Sequence, residues 1–198
     1  MLRSRLAGRD FIHDFYCKGK KVLDIGCGEG EFLRRDPKNI EGVEPNGEAV
    51  QRLESQGLKV TKGALPSLPF ADHTFDVVHS RNVIEHLDSS TAYSLVSEGA
   101  RLLKPDGLLI IATEVPTEKF WDTFGHVRPY TPKAIRKLLR EKSREEFSSI
   151  KDLEYVATIY LGEYHKIKMV YLVVTLIAYY TPLFRREFFL ILRKNPKI

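Results

Sequence analysis

A glycine-rich segment near the start of this sequence places acidic side chains where a small molecule could bind. Residues 22–31 read V-L-D-I-G-C-G-E-G-E, so that Asp24 lies in an apolar run and Glu29 and Glu31 lie among the glycines. Glycines adopt turn angles closed to other residues, and they lack the Cβ atoms that would keep a ligand away from the backbone. The pattern predicts a strand, a tight ligand-binding turn and a helix beginning at Glu31.

The acids indicate what kind of ligand this turn binds. A turn for a diphosphate usually reads G-x-G-x-x-G and leaves its amide groups bare, whereas three carboxylates favour a ligand with positive charge, such as an ammonium or a sulfonium. A second strand-like run, Ile40 to Val43, ends at Glu44, twenty residues after Asp24. At about this interval an acid binds ribose hydroxyls in nucleotide-binding folds. We therefore expect a nucleoside with a cationic tail.

Five segments of the chain follow one another in a recognisable order: Val22 to Gly30, Gly42 to Pro45, Leu68 to Val78, Glu85 to Leu87 and Arg101 to Gly107. This order resembles that of the class I S-adenosylmethionine-dependent methyltransferases, and the sequence most resembles their small-molecule type 11 group. The resemblance covers residues 20–111 closely. It implies a Rossmann-like, doubly wound α/β fold with a mostly parallel seven-stranded sheet and helices on both faces. It also implies S-adenosyl-L-methionine as the cofactor and S-adenosyl-L-homocysteine as the product.

The expected cofactor site draws residues from four places in the chain. They are Asp24, Gly26, Cys27 and Gly28 in the turn, Glu44 and Pro45 after the second strand, Ala64 and Leu65 after the third, and Ser80, Arg81 and Asn82 after the fourth. We expect Arg81 to pair with the methionine carboxylate. Ala64 stands where the family commonly has an acid for the adenine amino group. Backbone groups and packing, or Asp72 from the next loop, would then hold the adenine.

The loop at 114–132, after the predicted fifth strand, is the expected acceptor wall. It carries an aromatic cluster with polar side chains, and its G-H-x-R-x-Y string at 125–130 resembles a recurrent type 11 sequence. We expect His126 to act as a general base, because an imidazole titrates near neutral pH. The candidate acceptor-binding residues are Glu114, Trp121, Arg128 and Tyr130. A packed crossing loop, with Trp121 filling core space, explains the same pattern equally well.

Other residues are more simply structural. His86 is expected to tie a short helix to its loop. The segment 2–16 has loosely helical spacing, and its His13 and Tyr16 are candidate pocket contacts, although aromatic residues that cap the sheet edge account for them better. No metal-ligand cluster is expected. Asn82 to Glu85 lacks the N-P-P-Y type sequence of enzymes that methylate bases, so a nucleic acid acceptor is not expected.

Length and composition are those of an ordinary globular chain. The 198 residues are 43% hydrophobic and 29% charged, with a net charge of +5, which suits one domain. We expect a single methyltransferase domain over 1–198, with a helical leader at 1–19, a cofactor-binding half at 20–113 and an acceptor-side half at 114–198. Two cysteines and no long apolar leader favour the cytoplasm.

The segment from Met169 to Phe184 has no charged residue and is flanked by lysines and arginines. It is shorter than the roughly 17 to 20 apolar residues that span a bilayer, and it contains Pro182. We expect a buried helix that leads into the last strand. Peripheral membrane contact and a homodimer seam remain alternatives.

The leading functional hypothesis is methyl transfer to oxygen or carbon of a small-molecule acceptor, lipid-like or quinone-like if the C-terminal apolar segment lines the site. A polyamine-synthase-like transferase would use a decarboxylated cofactor and normally has further acids after the fourth strand, where Ser80, Arg81 and Asn82 stand. A cofactor-binding scaffold or partner subunit without catalysis is the third hypothesis.

Overall fold

Seven β-strands form one sheet in the computed structural model, which describes residues 11–140, 147–162 and 168–196. The strands are β1 (Val22–Ile25), β2 (Ile40–Glu44), β3 (Val60–Lys62), β4 (Phe75–Arg81), β5 (Leu103–Glu114), β6 (Leu153–Gly162) and β7 (Arg185–Lys194). Their order is β3-β2-β1-β4-β5-β7-β6, and β7 runs antiparallel to both of its neighbours while the other pairs are parallel. The predicted Rossmann-like, mostly parallel sheet is confirmed.

Four α-helices connect these strands in the described part of the chain: α1 (Gly47–Ser55), α2 (Ser89–Leu102), α3 (Pro132–Lys137) and α4 (Lys168–Tyr180). Side chains cap the first three. Asn46 accepts from two amides of α1, Asp88 from one of α2 and Thr131 from one of α3, which satisfies donors that have no partner within the helix.

The strand register brings the functional loops to one edge of the sheet. Ile25, the last residue of β1, pairs with Val43 in β2 and Ser80 in β4. The carboxyl ends of these parallel strands therefore lie side by side, which is where ligands bind in open α/β sheets.

Both faces of the sheet are apolar, and each packs into its own core. Along β7, Phe188, Leu190 and Leu192 belong to the core that includes α2, while Phe189 and Ile191 belong to the opposite core with β1 and α1. A strand covered on both faces has no polar side, so it reads as a continuous apolar run. The buried sheet provides the rigid base for the loops at its edge.

Several elements differ from expectation. The helix predicted from Glu31 is only a 3₁₀ turn, Leu33–Arg35, because Pro37 disfavours helical geometry in the residue before it. The helix predicted over 133–147 ends at Lys137, and part of that prediction, 141–146, lies outside the described residues. The third strand, predicted at 57–60, begins at Val60.

The expectation of a buried helix at 169–184 is wrong. The helix α4 packs on β6 where Gly162 approaches Val174 so closely that a Cβ would lie 2.8 Å from its backbone. Much of its remaining surface is exposed and apolar, including Met169, Leu172, Val173, Leu176, Tyr179 and Tyr180. The strand β6 is the last in the sheet, and among the described strands α4 contacts mainly β6. In the described part of the chain, no helix combines the length and apolarity needed to cross a membrane.

Asp72 does not lie at the ligand-binding edge, which corrects the suggestion that it reaches the adenine. It precedes β4 and pairs with Arg101, at 2.7 Å, near the end of α2. Arg101 also pairs with Glu98 at 2.7 Å, and Glu98 accepts from the Leu68 amide at 2.8 Å. This clamp lies at the amino edge of the parallel strands and fixes the 68–72 loop against α2.

We predict that Glu98→Gln makes the chain less stable at neutral pH and less sensitive to acid. The hydrogen bond from Arg101 lowers the pKa of Glu98 below its ordinary value of 4.5. The carboxylate therefore adds stability above that value, and this stability is lost as the pH falls through the lower pKa of the folded state. The substitution should cost about 1 to 2 kcal/mol of unfolding free energy at neutral pH, measured by urea denaturation, and the cost should shrink on acidification. Glu54→Gln, at an exposed position on α1, should change little, and an equal acid response in both variants would contradict the prediction.

Candidate cofactor and acceptor site

The glycine turn adopts backbone angles that other residues rarely adopt. Gly26 and Gly28 have φ angles of +71° and +52°, and a Cβ on Gly26 would lie 2.5 Å from a methyl group of Val83. Glycine is therefore required at Gly26 for two reasons, its backbone angle and the close approach of the loop after β4. The turn leaves its backbone open toward the carboxyl edge of the sheet.

Glu44 connects the end of β2 to this turn. Its Oε2 accepts a hydrogen bond from the Gly28 amide at 3.0 Å, and its Oε1 accepts from the Asn46 amide at 3.2 Å. These bonds fix the carboxylate in orientation, and a carboxylate has lone pairs left for further donors such as ribose hydroxyls.

Cys27 lies between Gly26 and Gly28 and is buried. Burial, followed by the charges of Asp24 and Glu44, raises the pKa of its thiol to about 12. The side chain is therefore a neutral thiol at physiological pH. It packs closely against Gly42, where a Cβ would lie 2.6 Å from its sulfur, and serves as a small packing residue.

Asp24 is buried and forms a pair that sequence reasoning missed. Its carboxylate lies 2.7 Å from Nδ1 of His79 in β4, which is also buried, and the ring of Phe32 stacks on His79 at 4.2 Å. Fifty-five residues separate Asp24 and His79 in sequence. The available signal was the polar histidine within the otherwise apolar core of β4, F-D-V-V-H-S-R.

A cavity of about 280 Å³ opens beside the turn. Six of the eleven predicted cofactor-binding residues line it: Asp24, Gly26, Cys27, Gly28, Arg81 and Asn82. The lining residues that sequence reasoning missed include His79, Phe32, Ile12 and Phe189. Polar groups from β1 and β4 thus face apolar side chains from the 3₁₀ turn, the leader and β7, a mixture typical of small-molecule sites.

The remaining predicted cofactor residues lie outside that cavity. Glu44 bonds to the Gly28 amide of the turn, while Pro45 and Ala64 are exposed and Leu65 packs partly on the core. Ser80 is buried and donates to the Ile25 carbonyl at 3.3 Å, so it joins two strands. In the cavity wall, Arg81 already pairs with Glu187 of β7 at 2.6 Å.

On the acceptor side, the structure does not support the alternative in which Trp121 fills core space. Phe120 is fully buried, whereas Trp121 is 59% exposed. Glu114 lies in a separate open cleft of about 650 Å³ together with Arg185 and Arg186. The structure therefore does not bring Glu114 and Trp121 into the cavity beside the turn.

The G-H-x-R-x-Y string is held against the segment after β4. Tyr130 donates its hydroxyl proton to the Leu87 carbonyl at 3.0 Å, and Arg128 donates to the Ser89 hydroxyl at 2.5 Å. The Nδ1 atom of His126 lies 2.6 Å from the Phe120 carbonyl, and its ring is 4.9 Å from that of His86. His86 does tie its turn to the neighbouring loop, since its Nδ1 lies 2.8 Å from the Gly125 carbonyl.

Glu85 lies beneath this junction and is only 1% exposed. Burial raises the pKa of its carboxyl group, an effect that its own backbone amide and the nearby Thr113 hydroxyl only partly offset. The two candidate residues of the leader, His13 and Tyr16, do not line the cavity. Tyr16 lies near Tyr179 of α4 instead, and burial, followed by the charge of Tyr179, raises the pKa of Tyr16.

Residues 23–111 match the family described as "Methyltransferase domain". Among curated relatives, a probable S-adenosylmethionine-dependent methyltransferase of Mycobacterium tuberculosis is 29% identical over 75% of this chain and 53% of its own length. A ubiquinone biosynthesis O-methyltransferase of Rhizobium leguminosarum is 31% identical over 54% of this chain and 45% of its own.

Solved structures share the fold. A SAM-dependent methyltransferase from Archaeoglobus fulgidus superposes with a TM-score of 0.69 at 21% identity, covering 96% of this chain and 91% of the other. The curated relatives are longer proteins, and the alignments with two of them, at 31% and 35% identity, span only 39% and 38% of their lengths.

We predict that Glu44→Gln weakens binding of S-adenosylmethionine about tenfold, because it removes the charge from a hydrogen-bonding acceptor at the ribose position. Calorimetric titration measures this directly. Glu41→Gln is the matched control, since alternation along β2 directs that side chain to the opposite face of the strand. Equal affinity of the two variants would contradict the assignment of Glu44.

Proposed function

Because this chain belongs to the type 11 group of class I S-adenosylmethionine-dependent methyltransferases, we propose that it transfers the cofactor's methyl group to an oxygen or carbon atom of a small-molecule acceptor. The observation that carries the proposal is the acid-lined cavity at the glycine turn, which opens at the carboxyl edge of the sheet. The cofactor S-adenosylmethionine has a cationic sulfonium, a ribose and an amino-acid tail. Asp24 and Arg81 line the cavity, and Glu44 bonds to Gly28 of the cavity wall, so acids and a cation are available for these three parts.

In this proposal, the chain's own residues bind and orient the cofactor. Glu44 accepts from the ribose hydroxyls while it holds the Gly28 amide. Asp24, kept in place by His79, supplies negative charge near the cationic end. Arg81 forms an ion pair with Glu187, so its guanidinium group would have to bind Glu187 and the methionine carboxylate at the same time. The adenine would rest on backbone and apolar groups near Ala64 and Leu65, where no acid is present between residues 63 and 70.

The chemical step needs little beyond orientation. The sulfur–methyl bond breaks as an acceptor oxygen or carbon forms a new bond to the methyl carbon, and the sulfonium leaves as a neutral thioether. Holding the two reactants in line can contribute about 7 to 11 kcal/mol. For a hydroxyl acceptor we propose His126 as the group that prepares the oxygen, since the Phe120 carbonyl holds Nδ1 and leaves Nε2 to accept the proton.

An apolar surface supports a lipid-like acceptor presented at an anionic membrane. The exposed face of α4 continues into the leader, where Tyr16 lies near Tyr179 and packs on the exposed rings of Phe11 and Phe15. We call this combined surface the α4–leader face. Lys18 follows it on the leader and Arg186 follows α4, and the chain carries a net charge of +5. Apolar surface with basic flanks suits interfacial binding.

Ile12, next to Phe11, lines the cavity, so the α4–leader face and the cofactor site are neighbours. An apolar acceptor could pass from a lipid surface toward the transferred methyl group over a short distance. The Rhizobium relative, named for ubiquinone biosynthesis, is consistent with such an acceptor. We propose cytoplasmic catalysis at a membrane surface by the single domain.

The runner-up is a scaffold that binds the cofactor and supports a partner. A Haloferax volcanii protein of the same fold, at 20% identity and a TM-score of 0.63, was solved as a complex with a methyltransferase activator. The α4–leader face would then bind protein. A polyamine-synthase-like activity has less support, since Ser80, Arg81 and Asn82 provide no acid after β4.

We predict that the purified chain transfers labelled methyl from S-adenosylmethionine to phenolic or quinol acceptors, and that His126→Gln lowers the rate about 100-fold with unchanged cofactor affinity. His73→Gln is the control, because His73 lies before β4 at the opposite edge and bonds to the Leu103 carbonyl. If cofactor binds but no acceptor class is methylated until a second protein is added, the scaffold hypothesis replaces this one.

We predict that the chain sediments with vesicles containing phosphatidylglycerol, and that the double variant Leu172→Ser, Leu176→Ser weakens this binding at least tenfold because it removes two exposed leucines from the α4–leader face. Val156→Ser, at a similarly exposed valine of β6, should have no effect. Absence of vesicle binding, together with a dimer in sedimentation velocity that the double variant dissociates, would show that the face binds a second copy instead.

A further inference from the structure

Three potential metal ligands meet where the loop at 125–130 contacts the turn after β4. One ligand atom each from Glu85, His86 and His126 lies within 4.8 Å of the other two. No metal-ligand cluster was expected from the sequence, in which forty residues separate His86 from His126. The backbone holds the two segments together, since the Val127 amide donates to the Glu85 carbonyl at 2.8 Å.

Both histidines have Nδ1 within hydrogen-bond distance of a backbone carbonyl. Nδ1 of His86 lies 2.8 Å from the Gly125 carbonyl, and Nδ1 of His126 lies 2.6 Å from the Phe120 carbonyl. A carbonyl oxygen only accepts, so each Nδ1 carries the proton and each Nε2 keeps its lone pair. Hydrogen bonds of this kind fix the tautomer and ring orientation of histidine ligands.

The third ligand is a buried carboxylate group, one oxygen of which has no hydrogen-bond partner among the described residues. Glu85 is 1% exposed, and its Oε2 makes no hydrogen bond of acceptable geometry to any residue that the structure describes. Buried polar atoms are nearly always satisfied, so an orphaned carboxylate oxygen calls for a missing partner. A bound cation satisfies that oxygen directly, and this observation is independent of the histidine geometry.

We propose that Glu85, His86 and His126 bind a divalent transition-metal ion on the acceptor side of the site. Two imidazoles and one carboxylate suit zinc, iron, nickel or copper, whereas magnesium prefers oxygen ligands. Three protein ligands are also the number that leaves a coordination position open for water or substrate. The site is partly accessible, because His86 is exposed while Glu85 is buried.

One consequence rests on the proposed function. An acceptor hydroxyl in the open position would lose its proton more readily, since a bound metal ion lowers the pKa of a coordinated oxygen. The proton leaves to water, and the oxygen lone pair then forms the bond to the methyl carbon. In this state His126 prepares the hydroxyl through the ion rather than by accepting the proton itself.

The test is calorimetric titration of the chelator-treated full chain with Zn²⁺, and separately with Mg²⁺, in the absence of cofactor and acceptor. We expect one Zn²⁺ per chain, much weaker binding of Mg²⁺, and at least a tenfold loss of Zn²⁺ affinity in Glu85→Gln and in His126→Gln. His73→Gln, at a histidine outside the cluster, should bind as the unaltered chain does. Failure to bind Zn²⁺, or equal affinity in all variants, overturns the proposal.

Two further measurements keep the result interpretable. His86→Gln changes an exposed side chain rather than a buried one, so it should lose Zn²⁺ affinity even if Glu85→Gln unfolds; thermal unfolding of each variant checks this. Calorimetry with S-adenosylmethionine should be unchanged in His86→Gln. Zn²⁺ binding without any methyl transfer would leave the metal site standing and overturn the proposed function alone.

Discussion

The hydrogen bond from the Gly28 amide to the Glu44 carboxylate is the interaction on which the cofactor site depends. It joins the turn after β1 to the end of β2 at 3.0 Å, and it is possible only because parallel register places Ile25 beside Val43. Glycine at Gly26 lets the loop carrying Val83 approach the same point. One bond and one missing side chain thus hold the turn, the end of β2 and the loop after β4 close together beside the cavity.

The acceptor side is built by a second and separate set of contacts. Tyr130 binds the Leu87 carbonyl, and Val127 binds that of Glu85, so the loop after β5 is fastened to the turn after β4. The two histidines at this junction, His86 and His126, are held by carbonyls in one orientation. A cofactor cavity and a polar junction on neighbouring strands form the arrangement that a transfer reaction between two bound molecules requires.

Sequence reasoning succeeded where a feature is local. The apolar run of β1, the glycines after it and Glu44 ending β2 are each encoded within a few residues, and the structure places them as expected. It failed where distant segments decide. The Asp24–His79 pair and the Glu85–His126 junction cross 55 and 41 positions, and periodicity cannot report either one. Likewise, the apolar composition of α4 predicted burial, but the helix packs on the last strand of the sheet and remains exposed.

The central claim is that S-adenosylmethionine binds in the cavity beside the glycine turn. The most direct measurement is a crystal structure of the chain with S-adenosylhomocysteine. We expect ribose hydroxyls within hydrogen-bond distance of Glu44, with the thioether sulfur above Gly26 and pointing toward the loop that carries His126. A ligand bound instead in the cleft between Glu114 and Arg186, with the turn unchanged and no contact to Glu44, would contradict it.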